Sequence, residues 1–224
     1  MTKKKKILIT VVSVILGLMV AGYIVTAVFF HNHFYSGTHI NGINSTDMKA
    51  NEVKKKLADQ VQNYSLNVKK IDGSAETLTA EQLQLAFDDG GEIDRIMKEQ
   101  KSWMWIVRAF QDKTYHLKAP INLSDEVLSS VVDGLDFMQE ENITPPQDAA
   151  VGDTDTGYTV TAEVMGNQPD QDKLTATLKD TILSGKNEVN LDEAGCYVKP
   201  AVYQNDENLI NRVNHLNQLV SANV

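Results

Sequence analysis

An uninterrupted apolar segment near the N-terminus constrains the fold of this chain more than any other feature. Residues 3–6 are four consecutive lysines, and the run from Ile7 to Phe30 contains no charged side chain. A hydrocarbon core about 30 Å thick requires roughly 20 apolar residues in a helix, which satisfies its own backbone hydrogen bonds in lipid. We therefore predict one transmembrane helix over residues 7–30, preceded by a basic tail over residues 1–6.

The residues around the apolar segment argue against a cleaved or lipidated N-terminus. A signal peptide has a shorter apolar region followed by a small-x-small cleavage site, whereas residues 29–34 read FFHNHF. A lipoprotein requires a cysteine at the end of the apolar run, and the single cysteine is Cys196. Because lysines beside a span are retained in the cytoplasm, we expect a single-pass plasma-membrane protein with its N-terminus inside and its C-terminal domain outside.

The charge of the outer part limits its partners. The whole chain has 21 Lys plus Arg and 30 Asp plus Glu residues. Four of the lysines belong to the basic tail, so 17 basic and 30 acidic residues remain outside, a formal charge of −13. Such a surface repels phosphate backbones, so nucleic acid is not expected as a partner. One cysteine cannot form an internal disulfide, and the outer part must rely on its apolar core.

Short periodic segments predict an α+β fold for the outer part. After a stem over residues 31–36, the stretch 37–44 reads as a strand and a turn. Thr46 or Asp47 is expected to cap a helix, and residues 64–71 alternate as a strand does. The apolar face of the helix consists of Val53, Leu57 and Val61, which recur at a spacing of four.

The middle of the chain is predicted to be mainly helical. Residues 79–82, with the sequence TAEQ, have the capping-box pattern that starts a helix. Residues 92–110 form the longest apolar stripe after the span and favour a helical segment along their whole length. Residues 115–123 look extended, and Ser124 is expected to cap a further helix.

Two adjacent prolines, at residues 145 and 146, interrupt regular structure. They mark a boundary between an N-terminal α+β subdomain at residues 37–144 and a second subdomain at residues 145–224. In the second subdomain, residues 158–164 alternate between apolar and polar side chains, as a strand with one buried face does.

The remainder of the second subdomain combines helices and short strands. Asp170 is expected to cap a helix that ends at Gly185. Residues 189–191 and 197–198 predict two further short strands, and residues 206–220 predict a closing amphipathic helix. Both secondary-structure types are therefore expected on either side of the boundary.

Three segments carry residue types found in active or metal sites, and each has a simpler structural interpretation. Cys196 has no histidine beside it in a nucleophile–base pattern, so a structural thiol is expected. Residues 153–157 read DTDTG and share features with aspartic proteases and calcium loops, but a hairpin turn explains them. His31 and His33 have metal-ligand spacing, yet they follow the span directly, where such side chains occupy the headgroup layer.

Trp103 and Trp105 suit either stacking on sugar rings or packing within the protein. Packing is expected for at least one of them. The sequence shows no phosphate-binding loop, zinc motif or Ser/His/Asp arrangement. No catalytic, cofactor-binding or metal-binding residue is therefore predicted, no cofactor is expected, and the ligand-binding face is left open.

Two runs of short motifs occur in a recognisable order. The first is GTHINGIN at residues 37–44 followed by STDM at residues 45–48; the second spans Pro145–Val202. The landmarks of the second run are PQDA at 146–149, YTV at 158–160, Gly166, the helix over 174–182, VNL at 189–191 and YVKP at 197–200. The chain resembles the N-terminal portion of membrane-anchored L,D-transpeptidases of Gram-positive bacteria, with an entry strand shared with VanW-like surface proteins and a peptidoglycan-binding repeat.

The resemblance implies peptidoglycan and cell-wall synthesis proteins as partners. The family's catalytic domain carries a Ser-His-Gly-Cys nucleophile motif, but no Ser-His pair precedes Gly195 and Cys196. The resemblance therefore implies a non-catalytic module that positions a cell-wall cross-linking enzyme, with a transpeptidase domain beyond Val224 in full-length relatives. Two alternatives stay open: a truncated L,D-transpeptidase whose catalytic domain is encoded downstream, and a stand-alone VanW-like surface interaction protein.

Overall fold

The computed structural model describes residues 2–117 and 120–222 of the chain. Its architecture is α+β, as predicted, with one long apolar N-terminal helix followed by short helices and several small sheets. Helix α1 covers Lys3–Phe29, and each of its residues is at least partly exposed. Its 27 residues extend about 40 Å at 1.5 Å per residue. This helix is long and apolar enough to cross a bilayer.

The elements after α1 are short. The helices are α2 (Ala50–Gln62), α3 (Glu92–Glu99), α4 (Trp105–Arg108), α5 (Asp125–Asp133), α6 (Gln171–Leu183) and α7 (Glu207–Ala222). The strands are β1 (Thr38–Ile40), β2 (Ile43–Asn44), β3 (Ser65–Lys69), β4 (Ala75–Thr79), β5 (Ala86–Phe87), β6 (Lys113–Tyr115), β7 (Ile121–Asn122), β8 (Ala150–Thr154), β9 (Gly157–Thr161) and β10 (Glu188–Asn190). Single 3-10 turns cover Ser102–Met104, Asp136–Met138 and Glu140–Asn142.

Contacts group the chain into two compact units. The first unit comprises residues 1–64 and 85–122, and the second comprises residues 65–84 and 123–224. The units therefore interleave along the chain, whereas the predicted subdomains follow one another across a boundary at residue 144.

The first unit contains a three-stranded sheet in the order β2-β1-β6. Strands β1 and β2 pair antiparallel across Asn41 and Gly42, whose φ angles are 45° and 82°. Positive φ angles at both central residues are typical of a two-residue hairpin turn, because the twist of such a turn matches the twist of the flanking strands. The predicted strand and turn are therefore confirmed. The core of this unit consists of Phe34, Ile40, Ile43, Val53, Leu57, Ile93, Ile96 and Leu117.

Helix α2 begins later than predicted, and the prediction that Thr46 or Asp47 caps it is wrong. Thr46 Oγ1 instead accepts a hydrogen bond from the N–H of Gly37 at 3.0 Å. The N-terminus of α2 is satisfied by Glu52, whose carboxylate accepts a hydrogen bond from the N–H of Lys49 at 2.7 Å. The predicted apolar face is confirmed, because Val53, Leu57 and Val61 are buried.

The segment 92–110 is not one helix. Helix α3 ends at Glu99, and Gln100 adopts an extended conformation with φ −67° and ψ 119°. The chain then resumes as a 3-10 turn followed by the four residues of α4. The apolar stripe continues through this break, which is why the periodicity alone predicts a longer helix.

Two other local predictions are corrected. The capping-box bonds of residues 79–82 form, with Thr79 N–H donating to Gln82 Oε1 at 2.8 Å and Gln82 N–H donating to Thr79 Oγ1 at 3.2 Å. The chain nevertheless makes only turns there, because Gln84 turns to φ 48° and strand β5 follows. The extended stretch 115–123 contains only β7 and the last residue of β6 in its described part, and residues 118–119 lie outside the described residues.

The second unit contains the sheet β10-β3-β4 and the hairpin β8-β9. Strand β3 confirms the strand predicted near residues 64–71, and it pairs in parallel with β10. The strand predicted over 158–164 ends at Thr161, beyond which Val164 makes an isolated bridge with Gln147. The fully buried side chains of the second unit include Leu66, Val68, Leu83, Leu128, Val132, Leu174, Leu178, Ile182 and Leu191.

The helix boundaries predicted in the second unit agree well with the structure. Ser124 Oγ accepts a hydrogen bond from the N–H of Val127 at 3.5 Å, and Asp170 Oδ1 accepts one from the N–H of Lys173 at 3.2 Å. Gly185, at φ 68°, directly follows Ser184, the C-cap residue of α6. The closing amphipathic helix is α7, which buries Val213.

Candidate functional site

The junction between α1 and the rest of the first unit is organised by the side chain of Gln100. Its amide donates hydrogen bonds to the carbonyl oxygens of Phe30 and His33, at 2.7 and 2.8 Å. Its own carbonyl oxygen accepts a hydrogen bond from the N–H of Tyr35 at 3.2 Å. The Phe30 carbonyl is a group of the kind that a helix leaves open at its C-terminal end, and the groups of His33 and Tyr35 belong to the stem. Gln100 therefore holds the stem, residues 31–36, beside the end of α3.

A cavity of about 420 Å³, here called the stem pocket, opens beside this junction. Ile96 and Met104 supply its aliphatic surface, and Tyr35 and Tyr115 supply aromatic surface. Ile96 from α3 and Met104 from the next 3-10 turn reach the same cavity because the chain bends at Gln100. The volume lies in the range of small-ligand sites, roughly 300–1,000 Å³.

Charged side chains of both signs line the stem pocket. They are Glu99, Lys101, Arg108, Asp112 and Lys113. Arg108 Nη1 donates a hydrogen bond to Gln111 Oε1 at 2.8 Å. Lys113 Nζ lies 4.6 Å from the centre of the Tyr115 ring, a cation–π distance. The pocket can therefore pair with carboxylate and ammonium groups of one ligand.

Two residues near the start of β1 shape the pocket. The hydroxyl of Tyr35 donates a hydrogen bond to the carbonyl oxygen of Lys101. Burial raises the pKa of Tyr35, while the positive charge of Arg108 acts in the opposite direction, so the phenol is a neutral donor at physiological pH. Gly37, at φ 78°, allows the Asp112 carboxylate to approach, because a Cβ at this position would collide with it.

A smaller cavity of about 220 Å³, here called the second-unit pocket, includes Phe137 and Tyr197 in its lining. The hydroxyl oxygen of Tyr197 accepts a hydrogen bond from the N–H of Ile71 at 3.1 Å. Asn167 accepts a hydrogen bond from the N–H of Thr144 at 2.6 Å and donates one to the carbonyl oxygen of Asn142 at 2.9 Å. These polar groups hold the backbone around the cavity, so the stem pocket is the stronger candidate for ligand binding.

Cys196 and the turn at residues 153–157 have ordinary structural surroundings. Cys196 is buried, and its Sγ donates a hydrogen bond to Thr177 Oγ1 at 3.4 Å. Burial raises the pKa of this thiol, which disfavours the thiolate. The thiol is therefore buried, as expected of a structural thiol. Asp155 and Thr156 form the turn between β8 and β9, which confirms the hairpin interpretation of residues 153–157.

The aromatic residues beside α1 pack against one another. The ring of His33 stacks on Phe29 with centres 3.9 Å apart. Trp105 lies 5.9 Å from Tyr23 and 6.3 Å from Phe30, measured between ring centres. This confirms packing for one of the two tryptophans. Among the described residues, no cluster of three or more His, Cys, Asp or Glu side chains is arranged to hold a metal ion.

No family model, curated protein or solved structure matches the chain. The stem pocket was not predicted from the sequence, because it forms where residues 96–115 bend at Gln100 and meet Tyr35 and Thr38, and the apolar periodicity does not show that bend. The one local signal is Gln100, a polar residue that interrupts the apolar stripe between Met97 and Trp103 within a run of alternating charges.

Proposed function

We propose that the chain is a membrane-anchored, non-catalytic module that binds peptidoglycan and positions an L,D-transpeptidase-type cross-linking enzyme. The observation that carries the proposal is the stem pocket, which combines both charge signs with aliphatic and aromatic surface close to the end of α1. The order of motifs that resembles Gram-positive L,D-transpeptidases supports the same function. Cell-wall synthesis proteins are the expected protein partners.

In this proposal α1 crosses the plasma membrane with residues 1–6 in the cytoplasm. The basic tail favours that orientation, and both units then lie outside the cell. The outer part, with a formal charge of −13, then lies on the wall side of the membrane. A module tethered in this way has a high effective concentration at the membrane surface, which favours weak binding of a repetitive polymer.

The stem pocket suits the short peptides of peptidoglycan. These peptides carry free carboxylate and amino groups on aliphatic side chains, and the pocket offers partners for each. Arg108 and Lys101 line the pocket and could pair with a carboxylate, and Glu99 could pair with an ammonium group. Ile96 and Met104 offer contact for aliphatic groups between the charges.

The test is co-sedimentation of the full chain, in detergent micelles, with purified peptidoglycan sacculi at moderate salt. The wild type is expected in the pellet. Because a charge-assisted hydrogen bond contributes about 1.5–3 kcal/mol, Arg108→Glu should weaken binding by about tenfold or more. Lys55→Glu, on an exposed position of α2, makes the same charge change outside the pocket and should bind as the wild type does.

The pocket's chemistry fits peptides of the finished wall and those of membrane-linked wall precursors. A parallel binding experiment with precursor-containing vesicles separates the two sources. Wild-type protein that stays wholly in the supernatant with sacculi and gains no affinity for these vesicles would refute the proposal. If Arg108→Glu and Lys55→Glu both bind sacculi as strongly as the wild type, the stem pocket is not the binding site.

The resemblance of Pro145–Val202 to a peptidoglycan-binding repeat makes the second-unit pocket an alternative location for the same function. Lys70 lies at this cavity, with Nζ 6.0 Å from the centre of the Phe137 ring. Lys70→Glu in the same co-sedimentation experiment should leave binding unchanged if the stem pocket is the site. Loss of binding in Lys70→Glu alone would assign the function to the second-unit pocket.

A further inference from the structure

Four apolar side chains project from the segment that follows Gln100. Trp103, Ile106, Val107 and Phe110 are 61%, 48%, 58% and 91% exposed, and we call them the apolar ridge. Their spacing of three, four and seven residues places them on one face of helical backbone. The backbone is helical through the 3-10 turn and α4, and it remains so at Ala109, with φ −57° and ψ −16°.

The segment that carries the apolar ridge is attached to the outer end of α1. Trp105, on another face of the segment, donates a hydrogen bond from Nε1 to the carbonyl oxygen of Tyr23 at 3.3 Å. The hydroxyl of Tyr23 in turn donates a hydrogen bond to the carbonyl oxygen of Trp103. Phe30 also packs on the Trp105 ring. The ridge is therefore held at the level of the last two turns of α1.

The length of the apolar segment sets the depth of those turns. A span needs roughly 20 residues, and the uncharged run starts at Ile7 and continues to Phe30. With Ile7 at the inner boundary of the hydrocarbon, the outer boundary falls near Thr26. Tyr23 is about 9 Å before Phe29 along the helix at 1.5 Å per residue. The contacts of Trp105 with Tyr23 and Phe30 thus bracket the outer interface of the bilayer.

We infer that the apolar ridge is embedded in the outer leaflet, between the lipid headgroups and the first part of the acyl chains. The inference rests on the proposed anchoring by α1. The ridge would continue the lipid-facing surface of α1 rather than form a separate patch. Tryptophan is favoured at this depth, and helical segments that carry tryptophan, phenylalanine and aliphatic side chains on one face bind in the plane of the interface.

Charge favours a lipid partner over a second protein of ordinary composition. The ridge segment carries Lys101 and Arg108, and Lys113 follows, against one acidic residue, Asp112. The rest of the outer part is acidic. A local excess of basic side chains beside an apolar face matches an anionic lipid surface. Two attachments, α1 and the ridge, would fix the orientation of the first unit and keep the stem pocket at the membrane surface.

The experiment uses the full chain reconstituted in vesicles of phosphatidylcholine and phosphatidylglycerol. Trp105→Phe leaves Trp103 as the single tryptophan while retaining an aromatic ring against Tyr23. Lipids brominated in the upper part of the acyl chain should quench the emission of Trp103 several-fold more strongly than they quench a control. The control carries Trp103→Phe, Trp105→Phe and Asp59→Trp, which places the single tryptophan on an exposed position of α2.

A second variant tests whether the apolar side chains of the ridge are responsible for the insertion. Ile106→Ser, Val107→Ser and Phe110→Ser, added to Trp105→Phe, should shift the Trp103 emission to longer wavelength and reduce its quenching. Unchanged quenching in this variant, or equal quenching in the Asp59→Trp control, would overturn the inference. The residues changed do not line the stem pocket, so sacculus binding is a separate readout.

Flotation of the same vesicles after an alkaline wash separates anchoring from ridge insertion. Chains that float and show quenched Trp103 support the inference. Chains that float with Trp103 unquenched refute ridge insertion and leave α1 anchoring intact. Chains that do not float refute both anchoring and the inference that rests on it.

Discussion

At the scale of single residues, Gln100 links the stem to the end of α3 in the first unit. One half-buried side chain serves three backbone groups of the stem, at Phe30, His33 and Tyr35. Gln100→Ala removes these bonds and leaves the two carbonyl oxygens without their donor. Because a lost hydrogen bond at a desolvated group costs about 1–3 kcal/mol, we expect the free energy of unfolding to fall by about 2–3 kcal/mol.

The measurement for Gln100 is urea unfolding of the full chain in detergent micelles, followed by tryptophan fluorescence. Gln60→Ala, on an exposed position of α2, is the matched control and should change the unfolding free energy by less than about 0.5 kcal/mol. If the two variants have the same stability, the contacts of Gln100 contribute nothing measurable to the stem.

Cys196 offers a second prediction, on pH dependence. Burial raises the pKa of its thiol above the ordinary value of 9.0. As the pH rises past 9.0, the unfolded chain loses this proton while the folded chain retains it, so the unfolding free energy decreases. Cys196→Ala should show a shallower decrease over the same pH range in urea titrations. A wild-type slope equal to that of the variant would contradict the prediction.

At the scale of elements, local signals predict what is decided locally. The caps at Ser124 and Asp170 and the buried face of α2 follow from side chains within one or two helical turns. The end of α3 does not. It is set by Gln100, whose partners in the stem lie 65 to 70 residues earlier. The stem pocket depends on that break, so neither was predictable from the periodicity of residues 92–110.

Gly166 and Gly185 provide a matched test of backbone constraint in the second unit. Their φ angles are nearly equal, 66° and 68°. An added Cβ at Gly166 would collide with backbone atoms of Thr144, Pro145 and Pro146, whereas at Gly185 it would enter open space within the described part of the chain. Gly185→Ala should cost only the left-handed penalty of about 1–2 kcal/mol.

Gly166→Ala must also displace the backbone, so its cost should exceed that of Gly185→Ala by at least about 2 kcal/mol. Urea unfolding of both variants, followed by far-ultraviolet circular dichroism, measures the difference. Equal losses would mean that the loop at residues 144–146 yields without cost. The comparison also tests the physical reason why glycine occupies position 166, which is the close approach of the backbone at residues 144–146.

At the scale of the whole molecule, the order of residues in the chain is a poor guide to the two units. The parallel pair β3-β10 joins Asn67 to Glu188 and Lys69 to Asn190, and the Lys69 ammonium lies 2.8 Å from the Glu188 carboxylate. No local pattern specifies that β10 will pair with β3, because β3 and β10 are both short and lie far apart in the chain. The boundary predicted at Pro145 and Pro146 rests on a local helix-breaking signal and contains no information about this pairing.

The pairing leads to a prediction about independent folding. A fragment of residues 145–224, the predicted second subdomain, lacks β3 and β4 and with them the buried side chains of Leu66, Val68 and Leu78. Burial of each such side chain contributes about 1.5–3 kcal/mol, and their sum is comparable with the whole stability of a domain, about 5–15 kcal/mol. The fragment should therefore show no cooperative urea unfolding by circular dichroism.

A chimera that joins residues 65–84 through a glycine–serine linker to residues 123–224 restores β3, β4 and α5 and should unfold cooperatively. Cooperative unfolding of the short fragment, with the midpoint of the chimera, would show that the second unit does not need the strands supplied from before residue 85.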